Sequence, residues 1–358
     1  MLTPETPESP NATRSSERAS LPPSSSALAC WVCGSVDVAL WKPRSIQRPL
    51  VPDDLAVTDS RYGETLTLWR CRACAFIFAD ADELAQLTEL YAQLSDSVYQ
   101  ETQDTRALQM RRILHRALAA RPHARTVLDI GAGAGTLLAE AGRAGLEAVG
   151  VEPSRAFVRH ARTAHAVHIE QGTFPHPALA GRTFDLVFLV DVIEHVREPI
   201  ELLRAAADAL APGGALVVIT PDMASYFARR LRGRWWHFRL AHVGYFSGRS
   251  LARAARSAGL VVERQGRAKW YFRIDYLAKR LAVYLPPLAA INRAARRLRL
   301  LRWLYDRVVT VDLHDSLFVV LRRAEEGAPA VAPAPGSAPA RHHAMTAAIL
   351  SGGLPMLG

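Results

Sequence analysis

Apolar and polar positions along the chain follow two rhythms. Residues 127–130, 147–151, 184–190 and 215–220 form short, nearly continuous apolar runs, the pattern of strands buried on both faces of a parallel sheet. Residues 136–141 and 198–210 between them read as helices, and Ala211-Pro212-Gly213-Gly214 ends the second. Upstream, 82–94 places apolar residues at 84, 87, 90, 91 and 94, and 104–120 places them at 108, 113, 114 and 118. Each set marks one buried helical face. Shorter strands are expected at 167–169, 259–265 and 315–321, with another at 61–70. Strands alternating with helices predict an α/β fold. At the ends the rhythm fades: 1–27 is rich in Pro, Ser, Thr and Glu with no apolar core, and 326–358 is rich in Ala, Pro and Gly. These predict a disordered leader, not a signal peptide, and a disordered tail.

The most informative stretch joins two of these strands. The run 127–130 ends in Gly131-Ala132-Gly133-Ala134-Gly135, and 147–151 ends at Glu152-Pro153. A glycine-rich turn lets a ligand approach bare backbone, and a carboxylate on the next strand tip can accept two hydrogen bonds from a ribose diol. A dinucleotide fingerprint would need glycine at 136, where Thr136 stands. The spacing is G-x-G-x-G, with Asp129 two residues ahead, and an acid there suits a cationic, pyrophosphate-free nucleoside such as S-adenosylmethionine.

This stretch resembles motif I of the class I S-adenosylmethionine-dependent methyltransferases. Phe184-Asp185-Leu186-Val187, Glu194-His195-Val196 and Pro212-Gly213-Gly214 resemble that family's fourth and fifth strands, so the resemblance covers roughly 105–323. It implies an α/β, Rossmann-like seven-stranded sheet with strand seven antiparallel. It also implies a cofactor site formed by Asp129, Gly131, Ala132, Gly133, Gly135, Glu152, Pro153, Thr173 and Asp191. Glu152 would hold the ribose. Thr173 stands where the family commonly has an acid near adenine, which leaves that contact open.

All four cysteines fall in two C-x-x-C pairs, Cys30/Cys33 and Cys71/Cys74. Two such pairs offer a tetrahedral sulfur cage for a structural Zn2+, the alternative being disulfides. A zinc lobe ahead of this fold resembles a subset of methyltransferases found with sugar-modifying enzymes, and certain ribosomal RNA methyltransferases as well. The expected organisation is a zinc-binding lobe over 28–80 and a methyltransferase domain over 81–325. The domain includes a helical cover at 81–120 and a basic insertion at about 271–309. A 358-residue chain with 49% hydrophobic residues accommodates this at ~100–200 residues per domain.

Charge is concentrated. The net charge is +10, and residues 229–310 hold 20 basic residues against Glu263, Asp275 and Asp306. Within 229–246, arginine interleaved with tryptophan suits an anionic, ring-bearing substrate. His242-Val243-Gly244-Tyr245-Phe246-Ser247 resembles a segment of sugar and quinone methyltransferases. In the insertion, Ile291, Ala294, Leu298, Leu301 and Tyr305 share a helical face opposite Arg293, Arg296, Arg297 and Arg307. Such a helix suits contact with an anionic membrane surface, or ordinary packing on the core. No apolar stretch of ~20 residues indicates a membrane span. The expected location is cytoplasmic, with peripheral contact at the inner membrane face.

Methyl transfer to a hydroxyl needs a base. His195 and His242 are the candidates, with His237 third; Tyr91 and Tyr99 line the substrate side or simply pack. The main expectation is O-methylation of a sugar in a polysaccharide or glycoconjugate pathway, the glycan acceptor being phosphate-bearing or lipid-linked. Three alternatives stand beside it. An RNA methyltransferase lacks support, because Asp191-Val192-Ile193-Glu194 replaces an Asn-Pro-Pro-Tyr segment, so nucleic acid ranks below the glycan. A quinone or small-aromatic O-methyltransferase explains Glu194-His195-Val196 but not the cysteines. A non-catalytic cofactor-binding protein is disfavoured by the presence of Asp129, the three glycines and Glu152.

Overall fold

The computed structural model describes residues 28–56, 61–84, 87–94 and 103–324. The expected leader 1–27, the tail 326–358 and Tyr99 lie outside the described residues.

Seven strands build the main sheet: β4 (Thr126–Ile130), β5 (Glu147–Glu152), β6 (His168–Gln171), β7 (Phe184–Val190), β8 (Leu210–Pro221), β10 (Leu260–Arg267) and β13 (Ser316–Arg323). Their order is β10-β13-β8-β7-β4-β5-β6. The pairs β5–β6, β4–β5, β4–β7 and β7–β8 are parallel, while β13 runs antiparallel to both β8 and β10. This is the Rossmann-like α/β sheet with its seventh strand reversed.

Alternate residues of each strand feed opposite layers. Leu128, Ile130, Val187, Leu189, Leu216 and Val218 bury on one side. Val127, Leu186, Phe188, Val217 and Ile219 bury on the other, against Met110, Ile113, Leu114 and Ala117 of the helix Gln103–Leu118. Burial on both faces explains the continuous apolar runs, each large side chain contributing about 1.5–3 kcal/mol. The buried face of that helix turns slightly from the one expected, leaving Leu108 36% exposed. Two further expectations shift. Residues 211–214 lie within β8, where a bulge against β7 absorbs them. The strand expected over 61–70 is confined to β2 (Leu68–Cys71), since Gly63 bends the chain at a φ of 90°.

A second sheet, antiparallel, has the order β1-β2-β3-β9, with β1 at Val38–Lys42, β3 at Ile77–Ala79 and β9 at Gly244–Tyr245. Its last strand comes from far downstream, just after His242. The basic insertion is a ribbon of β11 (Trp270–Arg273) and β12 (Val308–Val311) that carries three helices, Ile274–Tyr284, Pro287–Ala295 and Arg299–Tyr305. The single amphipathic wheel expected over 291–305 is broken between Ala295 and Arg299, and Ile291 and Leu298 are each 59% exposed. Among the described residues, no helix is long and apolar enough to cross a membrane.

Phe188→Ala is expected to cost about 3–5 kcal/mol in denaturant unfolding, because it empties the sheet's interior. Ile291→Ala should shift stability by no more than about 0.5 kcal/mol.

Candidate active site

Strand order reverses at β4, with β5 and β6 on one side and β7 and β8 on the other. In such sheets the crevice beyond the carboxyl ends of the strands is the ligand site. Here the glycine turn occupies it. Gly131 and Gly135 have φ of 72° and 75°, and the space a Cβ would need is taken. At 131 it would lie 2.6 Å from Val192 Cγ2, and at 135 it would lie 2.8 Å from Ala161 Cβ. Side chains are therefore excluded twice, by conformation and by contact. The amides of Gly131 and Ala132 donate to the Val151 carbonyl at 2.8 and 3.0 Å, tying the turn to β5.

Glu152 ends β5 with its side chain buried. One carboxylate oxygen accepts from the Gly133 amide at 2.9 Å, the other from the Ser154 amide at 2.8 Å. Ser154 in turn caps the helix Arg155–His165, accepting from the Phe157 amide. Burial pushes the Glu152 carboxyl up to about 7 against the pull of the two amides. Asp129 is raised by burial and by the neighbouring Glu152 charge. Asp191, at the tip of β7, adopts a φ of 54°. Its burial pushes it up to about 7, opposed by the charges of Arg106 and Arg239. The structure thus brings Asp129, Gly131, Ala132, Gly133, Gly135, Glu152 and Asp191 to adjacent strand ends. Pro153 is half-buried beside Glu152, whereas Thr173 lies exposed in the loop after β6.

A second cluster stands past the same tip of β7. Glu194 and His195 lie in a short helical turn, Ile193–His195. His195 Nδ1 donates to the Ala241 carbonyl at 2.7 Å, which leaves Nε2 as the free ring nitrogen. The His195 and His242 rings meet edge-on at 4.8 Å, and His242 lies 5.9 Å from the nearly parallel ring of His237. His237 Nε2 is 3.4 Å from an Asp315 oxygen, which also accepts from the Trp236 indole at 2.9 Å. Glu194 Oε2 accepts from Thr220 Oγ1 at 2.9 Å. Glu194 Oε1 and His242 Nδ1 are buried with no hydrogen-bond partner among the described residues. Ligand-capable atoms of Glu194, His195 and His242 lie within 4.8 Å of one another, a carboxylate and two imidazoles suited to a divalent cation.

Burial holds His195 down to about 4 and lowers His242 and His237 as well. The imidazoles are neutral near pH 7, the form that can take a proton. Glu194 is raised by burial and by the Asp191 charge. Asp315 and Arg239 complete the cluster and were not among the expected site residues. Asp315 is 78 positions from its histidine partner, and no local spacing announces such a pair.

The cysteines converge across the two pairs: Cys30 Sγ lies 3.6 Å from Cys74 Sγ, and Cys33 Sγ lies 3.5 Å from Cys71 Sγ. All four sulfurs fall within 4.8 Å, and the thiols are free. Zn–S bonds of about 2.3 Å in a tetrahedron imply sulfur separations of about 3.8 Å, so the cage fits zinc. A disulfide would need about 2.05 Å. Each pair closes a tight turn ending in a left-handed residue, Gly34 or Ala75.

Residues 100–265 match the family model described as Methyltransferase domain. Among curated relatives, a ubiquinone biosynthesis O-methyltransferase of Methylobacterium sp. (strain 4-46) is 31% identical over 160 residues, covering 38% of this chain and 60% of the relative. A protein of the same name from Ruegeria pomeroyi is 37% identical over 103 residues, covering 26% of this chain and 40% of the relative. The chain therefore spans 60% or less of the length of these relatives. Among solved structures, the CcbJ methyltransferase of Streptomyces caelestis matches at 19% identity with a TM-score of 0.41, covering 60% of this chain and 90% of that one. The relatives' names overturn the expected sugar acceptor and glycan partner. The expectation erred because the segment 242–247 resembles both sugar and quinone enzymes, and the cysteine lobe tipped the choice.

If Glu152 receives the ribose, its ionised form is the better acceptor. Affinity for S-adenosylhomocysteine should then fall by up to about tenfold per pH unit as pH drops below about 7. Calorimetry at several pH values checks this, and Glu152→Gln should flatten the dependence.

Proposed function

We propose that the protein O-methylates a ring hydroxyl of a quinone-type aromatic acceptor. The observation that carries this reading is the neutral pair of half-buried His195 and buried His242 beside the tip of β7. A phenolic hydroxyl ionises near 10, as tyrosine does, and so asks less of an imidazole base than an aliphatic alcohol would. The names of the curated relatives support the same acceptor class.

Bound S-adenosylmethionine supplies an electrophilic methyl on a sulfonium. Glu152 accepts the ribose hydroxyls, and the glycine turn gives the cofactor bare backbone to lie against. Asp129 offers negative charge to its cationic end. Pro153 and Asp191 stand at the same strand ends, with Thr173 exposed in the loop after β6. The Ala241 carbonyl fixes the His195 tautomer, so that Nε2 takes the acceptor proton in company with His242. Trp236, half-buried next to His237, offers an apolar ring face to an aromatic acceptor. Cys30, Cys33, Cys71 and Cys74 hold a structural zinc, since four thiolates leave no open position for water.

With 3,4-dihydroxybenzoate as acceptor and labelled S-adenosylmethionine, the expected result is a mono-O-methylated product. His242→Ala should lower kcat by about 10²–10⁴-fold with cofactor affinity held within about twofold. Failure to methylate any ortho-dihydroxy aromatic would contradict the acceptor class. Metal analysis of the purified chain should give one zinc, and a second equivalent would place a cation on Glu194, His195 and His242.

A further inference from the structure

The four-cysteine cluster is not confined to the second sheet. Cys30, Cys71, Cys74, Phe76 and Phe78 belong to one continuous core with Val187, Leu189, Ile193 and Phe246. The Cys71 amide donates to the Phe76 carbonyl at 2.9 Å, closing the second cysteine turn on the residue that enters β3. The Phe76 ring packs 4.6 Å from Phe246, and a Cβ at Gly244 would come within 3.1 Å of it. β3 then pairs with β9, setting Ile77 opposite Tyr245 and Phe78 opposite Gly244.

Val243 carries this connection to the candidate base. Its carbonyl accepts from the Ala79 amide of β3 at 2.8 Å, and its own amide donates to the Glu194 carbonyl at 2.8 Å. One residue earlier is His242, and two residues earlier is the Ala241 carbonyl that holds His195. A single residue therefore bridges the cysteine lobe on one side and the Glu194–His195 turn on the other. The cofactor turn is tied elsewhere, to β5 and the helix Arg155–His165.

We infer that the four-cysteine turn is a positioning element of the candidate active site: it fixes β3, β3 fixes Val243, and Val243 sets where His242 and the Ala241 carbonyl stand relative to Glu194 and His195. This rests on the proposed roles of the histidine pair and of zinc. Losing the metal would then leave cofactor binding intact while the base drifts from its place.

Hydrogen exchange of the full chain, followed by mass spectrometry, tests it alongside metal analysis and S-adenosylhomocysteine calorimetry. Cys74→Ser should lose its metal and raise exchange at 241–246 about tenfold or more. Exchange at 127–140 and cofactor affinity should stay within about twofold. Cys74→His, which keeps a zinc ligand, should restore protection. Gly244→Val keeps all four sulfurs and should retain zinc yet raise exchange at 241–246 as Cys74→Ser does. In both Cys74→Ser and Gly244→Val, kcat on 3,4-dihydroxybenzoate should fall about tenfold or more with little change in cofactor affinity. Unchanged exchange at 241–246 in metal-free Cys74→Ser overturns the inference. If the unaltered protein holds no metal, the zinc assignment fails, and Gly244→Val alone decides whether the lobe positions Val243. If the unaltered protein transfers no methyl group, the acceptor assignment fails, and the exchange data still decide the coupling.

Discussion

The buried carboxylate of Glu152 is the constraint from which the rest of the cofactor crevice follows. Removing a carboxylate from water costs several kcal/mol, and here two backbone amides offset part of that cost through charge-assisted bonds. Those amides belong to Gly133 and Ser154, so one side chain fastens the glycine turn after β4, the tip of β5 and the start of the following helix. Each oxygen keeps a further lone pair, and on these the proposed ribose contact rests.

The same economy of burial shapes the second cluster. Three histidines and Glu194 are held where their charged forms are disfavoured. The charge of Arg239 pushes the same way throughout, lowering the histidines and countering the buried acids at Asp191 and Glu194.

Much of this was legible in the chain because burial on both faces leaves a plain signature. Residues 184–190 are a strand from end to end, as their apolar run predicts, and Gly131 and Gly135 stand where backbone conformation and crowding leave no other choice. What escaped depends on distance in sequence. Asp315 meets His237, and the two residues of β9 become a strand only because β3 lies beside them. The insertion misled for a different reason, since a helical wheel assumes an unbroken helix and the chain turns between Ala295 and Arg299. The acceptor class was misread because the segment after His242 is common to two kinds of enzyme.

Titration of the purified chain with S-adenosylmethionine in a calorimeter tests whether Glu152 holds the cofactor. Saturable binding at one site per chain is expected, weakened by about a hundredfold or more when Glu152 becomes alanine, a penalty in keeping with a buried, charge-assisted contact. Absence of saturable binding by the unaltered protein, or binding indifferent to Glu152, would contradict this role.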